Sequence, residues 1–171
     1  MSRKEREKEF KKNLIGDAAE KLFLNNSFET VTMEDIAKEA EFGKGTLYQY
    51  FESKEDILVF VLCRSIADVS MKIEEQIVGE IDVKKSIENL IEIYYLFLKE
   101  YMNLFISFVK RQLDGNIPEH LLLQVKQAHK GKMDLMNRII ERGIKENVII
   151  DMDNKLLTHA IESTIKGFNL P

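Results

Sequence analysis

Cys63 is the only cysteine in 171 residues, so no internal disulfide framework is available and a reducing compartment is expected. Two prolines and eight glycines are too few for a chain broken by many turns, which favours long elements and helices above all. Long apolar runs are missing as well. The longest, Ile57 to Cys63, is closed by Asp56 and Arg64, whereas a membrane-spanning helix needs about 20 apolar residues. The opening Met1-Ser2-Arg3-Lys4-Glu5-Arg6 has no apolar stretch behind it and does not read as a signal peptide. The expectation is a cytoplasmic protein without a membrane partner.

Positive charge is also in short supply. The net charge is −4, which weighs lightly against a nucleic-acid partner because such binding rests largely on neutralising phosphates. Residues 1–54 hold ten Lys and Arg against eleven Asp and Glu, so any DNA surface must come from local placement of a few cations. The one concentrated basic segment, Arg3 to Lys12, has six cations against three glutamates. It reads equally as a solvated, frayed first helix and as a DNA-contacting arm.

What the chain does have is helical spacing. Phe10, Leu14, Ala18 and Leu22 recur at four-residue steps with Ile15, Ala19 and Phe23 beside them, one broad apolar stripe that should end at Asn25-Asn26-Ser27. Thr32-Met33-Glu34-Asp35 is a capping sequence that opens a short helix carrying Ile36, Ala37 and Ala40 inward. Glu41-Phe42-Gly43 interrupts it, and a second short helix spans Lys44 to Tyr50. Ser53-Lys54-Glu55-Asp56 opens a longer helix to about Val78, and Gly79-Glu80-Ile81-Asp82 breaks the chain. A helix apolar on most sides follows from Val83, with a bend or restart near Tyr101–Leu104. Asp114-Gly115-Asn116-Ile117-Pro118 is a loop. An amphipathic helix from Glu119 to about Asn147 has Gly131 as a candidate kink, and Asp151-Met152-Asp153-Asn154 caps a last helix from Lys155. The predicted class is all-α, with a boundary near Ser53.

Two short helices three residues apart, braced by a longer one, describe a helix-turn-helix, whose second helix lies in the major groove. Spacing alone fits an ordinary helical hairpin as well. The residue types favour the first reading. Gly45 lets a phosphate or base edge approach the helix start closely. Thr46 and Gln49 sit one turn apart as outward hydrogen-bonding groups, and glutamine pairs bidentately with adenine. Only Leu47 and Phe51 can be fully buried by so short a helix, so at least one of Tyr48 and Tyr50 should offer its hydroxyl to a phosphate. Lys54 can reach the same backbone from the next helix start.

The segment Val31 to Ala40, then Lys44-Gly45-Thr46-Leu47-Tyr48-Gln49-Tyr50-Phe51, then Ser53-Lys54-Glu55 resembles the signature of the tetracycline-repressor (TetR) family. That family has a threonine, an Ile-Ala pair, a Gly-Thr-Leu-Tyr-x-Tyr/His-Phe run and a Ser-Lys-Glu at these spacings. The match covers about Phe10 to Leu58. It implies DNA contacts from Thr32, Lys44, Gly45, Thr46, Tyr48, Gln49, Tyr50 and Lys54, with Leu47, Phe51, Ile36, Ala37, Phe28 and Phe42 as core. It also implies a helix-turn-helix domain over 1–52 and a helical ligand-binding and dimerisation bundle over 53–171. Two departures stand out. Glu41 occupies a helix end where the family usually has glycine, at a cost on the order of 1 kcal/mol, and Gly43 stands where a serine or threonine is common.

The resemblance further implies a bacterial repressor acting as a homodimer on a palindromic, double-stranded operator. A small apolar or amphipathic ligand in the bundle would release it, with the helix from Ser53 as the lever. The family's further helix after the one near Lys155 would be missing here. Tyr94, Phe97, Tyr101, Phe105, Phe108, Met133 and Met136 are pocket candidates, although plain core packing explains each as well. His129 and His159 read as surface groups rather than pocket handles. None of His120, His129 and His159 has a glutamate three residues before it, and Cys63 has no neighbouring ligand type, so no metal, no cofactor and no enzyme are expected. A helical interaction module without DNA binding, or a helical-bundle enzyme, are the competing readings.

Overall fold

The computed structural model describes residues 2–77 and 82–168. Among them lie seven α-helices and no strand: α1 Arg3–Asn25, α2 Met33–Glu39, α3 Lys44–Leu47, α4 Lys54–Ile77, α5 Val83–Leu113, α6 Glu119–Lys145 and α7 Asn154–Phe168. The expected break at Gly79–Ile81 falls outside the described residues. Neither α5 nor α6 restarts at the positions expected to interrupt it. α5 runs unbroken through Tyr101–Leu104 and α6 through Gly131, because neither stretch holds a residue that prevents the i to i−4 hydrogen bond.

Side chains set the helix starts. Ser2 and Glu5 form a capping box, with the Glu5 N–H donating to Ser2 Oγ at 3.2 Å and the Ser2 N–H to Glu5 Oε2 at 2.6 Å. α1 is therefore helical from Arg3. Thr32 and Asp35 repeat the device on α2. Ser53 caps α4 through the Asp56 N–H at 3.1 Å, Asp82 caps α5 through the Lys84 N–H at 2.9 Å, and Asp153 caps α7 through the Leu156 N–H at 2.8 Å.

Three helix ends share one closure. After α2, α5 and α6 the chain turns through Glu41 (φ 57°), Gly115 (φ 73°) and Asn147 (φ 56°). In each case the next N–H bonds back to the helix: Phe42 to Ala37 O at 2.9 Å, Asn116 to Arg111 O at 2.8 Å and Val148 to Gly143 O at 2.9 Å. This satisfies the last carbonyls and requires a left-handed residue. Gly115 adopts it without a Cβ penalty and Asn147 tolerates it. Glu41 does neither, as its sequence position suggested. Glu41→Gly is expected to stabilise the protein by about 1 kcal/mol, a rise in Tm of about 2–4 °C for a chain of this size. Unchanged thermal unfolding would show that the closure carries no strain.

The described chain divides into two compact units. One comprises Met1–Cys63 with Asn103–Gln124, and the other Arg64–Met102 with Val125–Pro171. The expected boundary near residue 52 lies within the first of these units. In the first unit Ile15, Ala19, Phe23, Phe28, Ile36, Leu47, Phe51, Ile57 and Leu58 are buried. The apolar stripe of α1 is shorter than expected, since Phe10 is 64% exposed and Leu14 38%. The core is met only from Ile15 onward, and ahead of it Lys12 lays its ammonium 4.8 Å from the Phe60 ring centroid. In the second unit Ile66, Val69, Ile73, Leu90, Leu98, Met136 and Ile140 form the core. There Gly143 allows a close approach: a Cβ would stand 2.8 Å from Ile149 Cδ1 and 2.9 Å from Ile87 Cδ1.

Candidate nucleic-acid interface

The interface is built on α2, the Glu41 turn and α3. Ile36, Ala37 and Leu47 are buried and anchor the two short helices from within. α3 is shorter than predicted. Regular helix stops at Leu47, and Tyr48 to Tyr50 continue as a tight turn in which the N–H groups of Gln49 and Tyr50 donate to Thr46 O at 3.1 Å and Leu47 O at 3.0 Å. That turn brings Phe51 into the core beside Phe60, with ring centroids 5.2 Å apart. Tyr48 is 48% exposed, Gln49 is exposed, and Tyr50 and Thr46 are half-buried.

Gly45 is exposed, and a Cβ placed on it would meet nothing of this chain within 4 Å. A helical glycine is less stable than alanine by up to about 1 kcal/mol, so neither the packing nor the backbone of this chain explains it. Gly43 also has room, its nearest contact being Thr46 Oγ1 at 4.0 Å; the hydroxyl common there in the family is missing but would fit.

The charged groups are less free than the sequence suggested. Lys44 is exposed but ion-paired with Glu34 at 2.7 Å. The Thr32 hydroxyl donates to Asp35 Oδ2 at 2.6 Å and accepts from the Asp35 N–H at 3.1 Å; the hydroxyl's bond, followed by that of the Thr32 N–H to Asp35 Oδ2 at 2.9 Å, holds the Asp35 carboxyl below its ordinary pKa. Lys54 differs most from expectation. Its ammonium donates to the carbonyls of Phe28 and Val31 at 2.7 Å each and lies 4.4 Å from the Phe28 ring centroid. Burial, followed by the nearby Arg111 charge, lowers its pKa. The helix start that carries Lys54 stands against the open carbonyls of the 28–31 turn, so the side chain turns inward and braces the segment leading to Thr32. Arg111 stacks on the same ring at 4.4 Å and pairs with Glu55 at 2.8 Å, a partnership between residues too distant in sequence to be predicted.

The pocket candidates are divided between the two units. Phe105 and Phe108 belong to the first unit, and Tyr94, Phe97, Tyr101, Met133 and Met136 to the second. Of these, Phe97 and Tyr101 line an open cleft of about 330 Å³ with Ile93, Leu96, Lys72 and Glu100. Tyr94 and Met136 are fully buried. Cys63 is half-buried, and burial pushes its thiol up to about 11, leaving it protonated at neutral pH. Among the described residues no group of His, Cys, Asp and Glu is arranged to hold a metal ion, and no helix is long and apolar enough to cross a membrane.

One constellation escaped the sequence reading. Glu162 Oε1 accepts from Tyr94 OH at 2.7 Å and Lys132 Nζ at 2.8 Å and lies 3.0 Å from His129 Nε2, while Lys132 also donates to Tyr94 OH at 2.8 Å. Lys132 and Glu162 are 3% and 4% exposed. His129 is thus a half-buried partner of a buried carboxylate, and His159, largely exposed, has Nδ1 4.0 Å from Glu162 Oε2. The signal was present: Lys132 and Glu162 occupy apolar-stripe positions, between Val125 and Met136 on α6 and between Thr158 and Ile165 on α7.

Comparison with known proteins places this geometry. Residues 15–60 match the model of the bacterial regulatory proteins of the tetR family. The fatty acid metabolism regulator protein of Bacillus subtilis is 27% identical over 152 residues, covering 88% of this chain and 77% of that protein. The crystal structure of the transcriptional regulator FadR from Bacillus subtilis in complex with stearoyl-CoA superimposes with a TM-score of 0.70 at 25% identity, over 90% of this chain and 82% of that one. The fatty acid degradation regulator FadR from Bacillus halodurans shares the fold with a TM-score of 0.73 at 23% identity, over 92% and 80%.

Proposed function

We propose, from the chain's membership of the tetR family of bacterial regulatory proteins, that it is a cytoplasmic repressor. It binds a palindromic operator as a homodimer and is released by an amphipathic acyl ligand. The observation that carries the DNA reading is Gly45: an exposed glycine at a helix start that nothing in the chain itself requires, flanked by Thr46, Tyr48 and Gln49. In this reading Gly45 lets the backbone approach DNA, Thr46 and Gln49 meet base edges, Tyr48 and Tyr50 hold phosphates, and Lys44 exchanges Glu34 for a phosphate. Thr32 contacts the backbone from a segment that Lys54 holds in place. The ligand class is suggested by the stearoyl-CoA held by the Bacillus subtilis regulator, and the cleft beside Phe97 and Tyr101, which also carries Lys72 and Glu100, offers an amphipathic entrance. Such a ligand acts only by binding the DNA-incompetent arrangement more tightly. We assign DNA binding to residues 1–52 and ligand response and pairing to 53–171, with α4 joining the two roles.

The test is Gly45→Ala, measured both by thermal unfolding and by DNA binding. The expected result is a protein as stable as the parent or up to about 1 kcal/mol more stable, with operator affinity reduced because the methyl group meets the DNA backbone. Unchanged operator affinity in the variant would overturn the assignment of this face to DNA.

A further inference from the structure

The basic segment of α1 is left unused by the recognition helix, yet the structure gives it a shape. Lys4, Lys8 and Lys11 stand at i, i+4 and i+7, one face of a helix, and the Ser2–Glu5 capping box keeps the first of them inside regular helix. With Glu7 they form one wall of a groove of about 320 Å³ whose other wall is Gln49 and Tyr50. That volume equals about ten water molecules, enough for a sugar-phosphate unit with its hydration. Within the groove the one carboxylate, Glu7, is engaged by Lys11 at 2.8 Å, and among the described residues Lys4 and Lys8 have no ion-pair partner. Three ammonium groups against one carboxylate make this a positive spot on a segment, residues 1–54, whose net charge is otherwise slightly negative.

We infer that this groove is a phosphate-binding track: Lys4 and Lys8 hold the DNA backbone beside the bases that Gln49 faces, with Lys11 and Tyr50 as its floor. The inference rests on the DNA-binding reading and extends it to residues outside the helix-turn-helix. Two features favour a nucleic-acid backbone over an anionic lipid surface. The occupant must fit a groove rather than lie on a flat face, and the opposite wall carries a candidate base reader. A strand held there is in register with the recognition helix.

Phosphate contacts are independent of sequence, so the test needs no known operator. Binding of a random-sequence duplex is measured by fluorescence anisotropy across a salt series for the full chain and for Lys4→Gln/Lys8→Gln. Folding of each is checked by circular dichroism, and Lys4→Arg/Lys8→Arg serves as the charge-keeping control. Each lost phosphate contact lowers the slope of log K against log salt by about 0.9. The double glutamine variant should therefore lose about 1.8 per bound protomer, and the arginine variant should keep the parental slope. A parental slope in the glutamine variant overturns the track. So does binding to phosphatidylglycerol vesicles that depends on Lys4 and Lys8 while the DNA slope is unchanged. Failure of the parent protein to bind any duplex would instead overturn the DNA reading itself, a result distinct from either.

Discussion

Replacing Glu162 by alanine is expected to destabilise the protein by about 3–5 kcal/mol, because it removes the carboxylate that the buried Lys132 ammonium and the Tyr94 hydroxyl both bond. For a chain of this length that is a fall in Tm on the order of 10 °C. The carboxylate is the acceptor on which Tyr94, Lys132 and His129 converge, so its removal orphans several donors at once. The charge of Lys132 should account for the larger share of the loss. Glu162→Leu combined with Lys132→Met should recover most of it, since apolar replacement of a whole buried pair is often neutral or stabilising. A single variant as stable as the parent would mean that Lys132 reaches solvent.

The same cluster predicts a pH dependence. Burial alone raises the Glu162 carboxyl, but the hydrogen bonds and charge of His129, Lys132 and Tyr94 outweigh it and hold the group well below the usual carboxylate range. A depressed folded-state pKa contributes stability that is fully present above the ordinary glutamate value, about 4.3, and is lost as the pH falls toward the folded value. Stability should therefore decline below about pH 4.3 more steeply in the parent than in Glu162→Gln, as read from urea midpoints at a series of pH values. Parallel curves would remove Glu162 as the cause.

Gln49→Ala is expected to weaken operator binding by about 1–3 kcal/mol, the value of one good bidentate base contact, or about 5- to 150-fold in affinity. Binding to a scrambled duplex should stay within a factor of two or so, since that rests on phosphates. The fold should be untouched. Gln49 is exposed, and its amide has no hydrogen-bond partner among the described residues, so no internal interaction is lost. The contrast with the lysine track is diagnostic: Gln49 changes the ratio of specific to non-specific binding, and Lys4 and Lys8 change the salt slope of both. Equal loss on both duplexes in Gln49→Ala would place this residue against a phosphate instead of a base.

Local rules made much of this fold legible. Ser53, Thr32 and Asp153 are caps whose side chains sit where capping geometry requires, and Glu41 takes the left-handed conformation that its position implied. Leu47 and Phe51 are buried because α3 is too short to hide more than two large side chains. What sequence could not reach depends on contacts between distant segments. Lys54 was read as a phosphate ligand because its position at a helix start is visible, whereas the carbonyls of Phe28 and Val31 that claim it are not. Phe10 matched the periodic stripe, but periodicity does not say where the core ends. The pairing of Lys132 with Glu162 spans 30 residues and was legible only as two charges in apolar stripes. The pocket candidates stand out by residue type alone, and residue type does not distinguish a cavity wall from a packed core.

Operator recognition is tested most directly by selection of sheared genomic DNA from the source organism on the immobilised chain, followed by affinity measurement on the fragments retained. The account predicts fragments sharing an inverted repeat, bound at least about 10³-fold more tightly than a scrambled duplex of the same composition, with the complex dissolved by long-chain acyl-CoA. Retained fragments without a common repeat, bound no better than scrambled DNA, would contradict it.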